Sequence, residues 1–171
     1  MFTISKEIEF DAGHRVPAHV SKCKNPHGHR YRVRATITGE LITTPGASDE
    51  GMLADFGDLK KALTEQIHDV LDHGFIVHYK DDAMLYALTG GLWTCGLNRS
   101  ITDVRTDIAR LCDWKVFVFP YVPTAENLAL WSFLQLDGTV RRMGFALVKV
   151  DVWETPTSVA TFTSNDFYLE V

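Results

Sequence analysis

Apolar and polar residues alternate from the start of the chain. Phe2, Ile4, Ile8, Phe10 and Ala12 share one parity, broken only by Lys6, and His14 falls on the same parity. Thr3, Ser5, Glu7, Glu9 and Asp11 take the other. A period of two predicts a half-buried strand, here with an apolar face that ends in a histidine. Gly13 is a candidate bulge that would break the parity just before His14. After a Pro-containing loop over 16–26 a second strand is expected. It carries His27, His29, Tyr31, Val33, Ala35 and Ile37 on one face and Arg30, Arg32, Arg34, Thr36 and Thr38 on the other. The arginine side reads as a solvated face, or else as an oligomer surface or an anion-steering stripe.

Turn formers over 43–51 predict a hairpin or loop. Asp55 is a plausible N-cap for a helix in which Phe56, Leu59, Leu63, Ile67, Val70 and Leu71 recur at helical spacing, with Gly74 as its stop. Met84, Leu85 and Leu88 suggest a short helix ended by Gly90-Gly91, and Ile101, Val104, Ile108, Leu111 and Cys112 a second one. Val116 to Phe119 reads as a buried strand. Thr124 is the expected N-cap of a helix through Leu136, with Glu126 favourable in its first turn and Asp137-Gly138 as its end. Ala146, Val148, Val150 and Val152 mark a third long strand, and Glu154 lies on their parity. After a turn over 155–158, Val159 to Val171 returns as one or two strands. This order predicts an α+β fold with helices on one face of an antiparallel sheet, in one domain over 1–171 with an insertion at about 82–115.

Composition narrows the partners more than the fold. The chain has 171 residues, 46% hydrophobic and 23% charged, enough for a substantial core. A net charge of −5 argues against a general nucleic-acid binder, although a local cationic cluster still permits an anionic small molecule. No apolar run is long enough to span a bilayer, and the start shows no secretory pattern. Cys23, Cys95 and Cys112 are odd in number and irregularly spaced, so a reducing, cytoplasmic setting is expected and not a disulfide scaffold.

Three strands thus deliver polar groups from their apolar faces: His14, the His27/His29 pair and Glu154. Three neutral imidazoles with an open fourth position form the ligand set of a catalytic zinc site. Gly28, between the paired histidines, permits close approach of a backbone or ligand. Cys23 is either a fourth ligand, which closes the site into a structural zinc centre, or an acid/base group. Thiolates are favoured beside cations, and Lys22 and Lys24 flank Cys23. Cys95 and Cys112 read as packing residues, His68 as a surface residue, and Asp72-His73 by itself as a helix end. A carboxylate that ends a buried face, as Glu154 does, needs a partner.

Phe10-Asp11-Ala12-Gly13-His14, then Cys23 with His27-Gly28-His29, Gly51-Met52-Leu53-Ala54-Asp55-Phe56, Leu71-Asp72-His73, Pro123-Thr124-Ala125-Glu126-Asn127-Leu128-Ala129 and Glu154-Thr155 occur in that order. As an ordered set they resemble the 6-pyruvoyl-tetrahydropterin synthase superfamily. The three-residue gap between Cys23 and His27 resembles its 6-carboxy-tetrahydropterin synthase branch, which feeds queuosine and other 7-deazapurines. The resemblance implies a tunnelling fold: a four-stranded antiparallel sheet with two helices on one face, assembled through its sheets into a homohexamer of two stacked trimers with active sites between subunits. It implies that His14, His27 and His29 hold Zn2+, that Cys23 accepts a proton and that His73, supported by Asp72, relays protons. It implies that Glu154 grips the pterin and joins the relay, and that Thr124 and Glu126 border the pocket. The implied reaction converts 7,8-dihydroneopterin triphosphate to 6-carboxy-5,6,7,8-tetrahydropterin with release of triphosphate and acetaldehyde. Lys22, Lys24, Arg15 and Arg30 are the candidate triphosphate partners. The alternatives are a 6-pyruvoyl-tetrahydropterin synthase or related pterin lyase, and a non-enzymatic module with a closed zinc site of one cysteine and three histidines. A zinc hydrolase fits less well, because no general-base carboxylate stands in a metalloprotease-like motif. The segment from Asp82 to Lys115 is longer than a compact member needs. It reads as a peripheral extension of the pocket rim, or as a lid.

Overall fold

The computed structural model describes residues 1–94 and 99–167. Its strands are β1 (Phe2–His14), β2 (His27–Gly39), β3 (Gly74–His78), β4 (Val116–Phe119), β5 (Ala146–Thr155) and β6 (Ser158–Thr163). They form one sheet in the order β4-β3-β1-β2-β5-β6. The expected four antiparallel strands are present as β1-β2-β5-β6, but β3 and β4 extend the sheet in parallel, so it is mixed and six-stranded. β3 escaped the sequence reading because five residues after a helix are too few to show a period.

The helices are α1 (Phe56–Leu63), α2 (Asp69–Leu71), α3 (Asp82–Leu88), α4 (Ile101–Leu111), α5 (Ala125–Arg142) and α6 (Ser164–Phe167). A π-helical turn, Thr64–His68, joins α1 to α2 in one run that starts at the Asp55 cap, whose carboxylate accepts from the Gly57 amide. His73, not Gly74, takes the left-handed conformation that ends this run, at φ 55°, and Gly74 already belongs to β3. α5 passes through Asp137-Gly138, because Val140 continues the buried stripe and Asp137 pairs with Arg141 one turn on. Its chain reverses instead at Gly144, at φ 89°. After β6 the chain forms the short helix α6, not a further strand over 164–167.

The α1–α2 run and α5 cover the same face of the sheet. Leu59, Leu63, Ile67 and Leu71 meet Leu128, Phe133, Leu136 and Val140 over Phe10, Tyr31, Val33, Ala35, Val150 and Val152 in one buried cluster. The insertion packs on the opposite face of the β3–β4 ribbon. Ile76 and Phe119 point into the main core, whereas Val77 and Val118 point into a second core with Met84, Leu85, Leu88, Trp93, Val104 and Ile108. Cys112 packs against that second core, and Cys95 lies outside the described residues.

β1 and β2 pair over their full length with no bulge at Gly13, so Gly13 faces Gly28 and His14 faces His27. The register shifts lie elsewhere, at Thr36/Ile37 and at Trp153/Thr155; the first skips Val148, so that Leu147, and not the expected Ala146 and Val148, joins Val150 and Val152 in the core. The same register sets Asp11, Glu9 and Glu7 opposite Arg30, Arg32 and Arg34. Arg30–Asp11 and Arg34–Glu7 close to 2.9 and 2.8 Å, and Arg32 and Arg34 lie over the Trp153 ring. The arginine side is therefore a charge-compensated, partly solvated face. β3 pairs with β1 only at Ala12–His14, which leaves the Phe2–Phe10 edge of β1 unpaired among the described residues, as is the outer edge of β6.

Gly13 leaves room for the ring of Phe75 beside it: a Cβ at this position would lie 2.8 Å from Phe75 Cδ2. Gly13→Ala must push that ring into the second core. We expect it to destabilise the fold by about 1–3 kcal/mol, read as a lower urea midpoint at unchanged m-value.

Candidate metal centre and active site

The unbroken β1–β2 register brings His14 and the His27/His29 pair to the end of the apolar face. Their ring centroids are 4.6 Å (His14–His27), 5.2 Å (His14–His29) and 4.8 Å (His27–His29) apart. One nitrogen from each ring lies within 4.8 Å of the others, so the group could hold a metal ion. Backbone carbonyls fix two of the rings. His14 Nδ1 donates to the Pro123 carbonyl at 2.6 Å, and His27 Nδ1 to the Asn25 carbonyl at 2.8 Å. A hydrogen bond at one ring nitrogen leaves the other as a bare lone pair, which is how metal-binding histidines are usually oriented. His14 Nε2 and His29 Nε2 are buried and have no hydrogen-bond partner among the described residues.

Glu154 completes the convergence. Its Oε1 lies 3.3 Å from His14 Nε2 and 3.8 Å from His29 Nε2. Burial pushes the His14 imidazole down to about 4, and burial likewise lowers His29, partly offset by Glu154. Near neutral pH both rings are therefore uncharged, and His14 Nε2, its ring proton held at Nδ1, is an acceptor that faces a carboxylate oxygen. Acceptors without donors cannot stabilise one another, and a divalent cation among them satisfies all of them. Tyr31 stands behind the cluster, fully buried, with ring centroids 5.8 and 5.6 Å from His14 and His29. Burial, and then the negative charge of Glu154, hold its phenol in the protonated form, and its hydroxyl has no partner among the described residues.

A cavity of about 310 Å³ opens beside His14 and Glu154. Cys23, Thr124, Glu126 and His19 line it, together with Val159 and Ala160 at the β5–β6 hairpin. Its size lies at the lower end of small-ligand pockets. Cys23 sits half-buried in a one-turn 3₁₀ helix, Lys22–Lys24, and does not join the cluster of mutually close donor atoms. Thr124 caps α5 by accepting from the Asn127 amide, which places the start of that helix at the cavity wall. Of the residues expected in the site, the fold thus gathers His14, His27, His29, Cys23, Glu154, Thr124 and Glu126.

Asp72 and His73 lie elsewhere. His73 is 80% exposed and borders a separate open hollow of about 480 Å³ with Asp11, Gly13, Gly28, His29 and Arg30. Its Nδ1 donates to Asp72 Oδ2 at 2.7 Å, and Asp72 Oδ1 accepts the Asp11 amide. Burial works against the charge on Asp72, but those hydrogen bonds outweigh it and hold the carboxyl below its ordinary range. His68 also approaches Asp72, at 3.8 Å. Of the four cations considered for a triphosphate, Arg15 and Arg30 are paired with Asp81 and Asp11, while Lys22 and Lys24 are exposed beside Cys23. The orienting carbonyls of Pro123 and Asn25 were missed in the sequence, since any residue carries such a group. Only the histidine spacing could have prompted a search for them.

Residues 3–165 match the family model described as 6-pyruvoyl tetrahydropterin synthase. The 6-carboxy-5,6,7,8-tetrahydropterin synthase of Haemophilus influenzae is 32% identical over 162 residues, covering 95% of this chain and 99% of that protein. The protein of the same name from Synechocystis is 30% identical over 165 residues, covering 96% and 95%. A crystal structure of an uncharacterized Wolinella succinogenes protein superposes with a TM-score of 0.71 at 27% identity, covering 95% and 98%. Caenorhabditis elegans 6-pyruvoyl tetrahydropterin synthase, 22% identical, shares the fold at a TM-score of 0.59, with 95% of each chain covered. No helix among the described residues is long and apolar enough to cross a membrane.

The His14 environment sets a pH dependence for the metal-free protein. Its folded pKa of about 4 lies below the ordinary 6.5, so between these values the unfolded chain binds the proton first. Stability from this group is intact above pH 6.5 and falls as pH drops toward 4. Urea midpoints of chelated protein across that range should decline, and His14→Gln should flatten the slope.

Proposed function

The chain belongs to the 6-pyruvoyl tetrahydropterin synthase family, and from that premise we propose that it is a zinc-dependent 6-carboxy-5,6,7,8-tetrahydropterin synthase. It takes 7,8-dihydroneopterin triphosphate and water to 6-carboxy-5,6,7,8-tetrahydropterin, acetaldehyde and triphosphate, a step toward 7-deazapurines such as queuosine. The observation that carries this reading is the bare, buried His14 nitrogen, with His29 Nε2 beside it, facing Glu154 at the mouth of a cavity that also holds Cys23. Curated relatives of that name, matched over nearly their whole length, support the product.

His14, His27 and His29 would hold the metal, the carbonyls of Pro123 and Asn25 fixing two of their rings. When bound, Zn2+ supplies Lewis-acid stabilisation of negative charge on the side-chain oxygens of the substrate. Glu154 accepts the N–H donors at the pterin edge, charge-assisted bonds of about 1.5–3 kcal/mol each. Thr124 and Glu126 border the ring. Cys23 takes a proton from the side-chain carbon next to the ring, and the ring is reduced internally by tautomerisation, so no nicotinamide is required. Triphosphate departs toward Lys22 and Lys24. The two outer carbons of the side chain then leave as acetaldehyde, and the first carbon stays as the carboxylate.

His73, with Asp72 behind it, is the proton relay, but it faces a different hollow from Cys23 within one subunit. A second subunit resolves this. The unpaired β1 edge and the free β6 edge are suited to strand pairing between copies, closing sheets into a barrel of subunits stacked as two trimers. The site then draws His73 from a neighbour. The protein works in the cytoplasm as a homohexamer of one-domain subunits.

Incubation of the zinc-loaded protein with 7,8-dihydroneopterin triphosphate should release acetaldehyde and triphosphate, with 6-carboxytetrahydropterin identified by mass. A 6-pyruvoyl product would instead assign the sister activity. Cys23→Ala should keep its zinc and lose turnover by about 10²–10⁴-fold; loss of zinc would make the thiol a ligand. Cys23→Ala and His73→Ala should each be inactive alone and regain part of wild-type activity when refolded together. Failure to complement would place both groups in one subunit.

A further inference from the structure

We propose that Asp81 and Arg15 form a positioning pair that ties the Cys23 loop to the start of the insertion. Arg15 directly follows the ligand His14 as the chain leaves β1. Its Nε donates to Asp81 Oδ2 at 2.6 Å, and a second guanidinium nitrogen meets Asp81 Oδ1, so the contact is two-pronged. The Asp81 side chain is only 3% exposed, and a carboxylate so buried is held by its partner and cannot be exchanged for water.

Both ends of this pair are anchored. The Asp81 amide donates to the His78 carbonyl at the end of β3, and its carboxylate caps α3 through the Met84 amide. On the other side, Arg15 reaches the Lys24 carbonyl at 3.4 Å. The adjacent Val16 amide donates to the Cys23 carbonyl at 2.8 Å. The remaining backbone bonds of the loop, His19 to Val16, Lys24 to Ser21 and Asn25 to Lys22, are internal to it. Downstream, the Asn25 carbonyl is held by His27 Nδ1; upstream, the position of Cys23 relative to the imidazoles depends on where 15–16 is held, and Asp81 holds it. The insertion acts on the site through this contact, without lining the cavity. Arg15 is thus engaged as a tether and is not the free cation that a triphosphate would require.

The inference rests on Cys23 being the proton acceptor, and its test includes a readout that does not. Asp81→Asn keeps a good cap for α3 and removes the charge; Arg15→Gln removes the fork. In each variant, metal content should match wild type. The rate at which iodoacetamide alkylates Cys23, followed on its own peptide to separate it from Cys95 and Cys112, should rise several-fold as the loop loosens. With 7,8-dihydroneopterin triphosphate, kcat should fall by about ten- to a hundredfold, as expected for a misplaced reacting group, at near-constant KM. The double variant should be no worse than either single one. Wild-type alkylation rates in both variants would overturn the pair, as would loss of metal in both. An effect confined to Arg15→Gln and to KM would also overturn it, by assigning Arg15 to the phosphates. If wild-type protein does not turn over this substrate, the proposed reaction fails while the alkylation comparison still decides the tether.

Discussion

The site depends on the register between β1 and β2. Paired over thirteen residues each, the two strands place His14 directly opposite His27, with His29 two residues further along the same face. A slip of one residue would turn every side chain of one strand to the other face, sending Tyr31, Val33, Ala35 and Ile37 out of the core together with the histidines. Hydrophobic burial along the strands therefore enforces, at their ends, an arrangement that is electrostatically unfavourable without a cation. The core supports the convergence of acceptors, and the glycine pair Gly13/Gly28 lets it happen in a tight space: a Cβ on Gly28 would come within 3.3 Å of the Ala12 carbonyl.

Much of this was legible because it follows from period. The alternation of β1, β2 and the later half of β5 marked the faces, and with them the common side of His14, His27, His29 and Glu154, while at the start of β5 a register shift turns Leu147 into the core in place of Ala146 and Val148. The caps Asp55 and Thr124 marked the two long helices correctly because capping is local chemistry. Non-local features were not legible. Val116–Phe119 was legible as a strand, but β3 and the parallel pairing of the two depend on partners far along the chain, β4 lying more than thirty residues after β3. Asp137-Gly138 resembles a helix stop, yet burial of Val140 carries α5 past it. Gly13 has the composition of a bulge, but a full-length partner strand leaves it none. The location of His73 could not be read either. Which hollow it faces depends on how the helix ends, and there the left-handed residue is the histidine itself.

The segment 82–115 packs apart from the main core. Its helices do not compete for the core under α1 and α5. They bury the other face of β3–β4, which the parallel extension would otherwise leave exposed, and cover it with a separate small core. Arg105 donates to the Val118 carbonyl, so α4 also caps the outer strand and leaves the sheet little freedom to extend at that end. Open pairing capacity then remains at β1 and β6. One edge of the sheet is thus closed within the chain, whereas two stretches of strand stay unpaired among the described residues.

These features together explain why the site is divided among elements as it is. The histidines that could hold a metal ion sit on the longest, best-paired strands, with two of their rings locked by backbone carbonyls from a loop and from the approach to α5. The group expected to move a proton sits on a short 3₁₀ turn with no buried residue of its own. Such a turn has little packing to fix it, so its placement must be imported. A buried carboxylate at the head of the insertion, reached by the arginine that follows a metal ligand, is a short route between a rigid frame and that turn. The strength of a two-pronged, desolvated ion pair is then used for geometry more than for stability, since replacing such a pair by apolar residues seldom costs a fold much. The constraint that begins as strand register thus extends, through one side-chain contact, to a part of the site that the sheet does not hold directly.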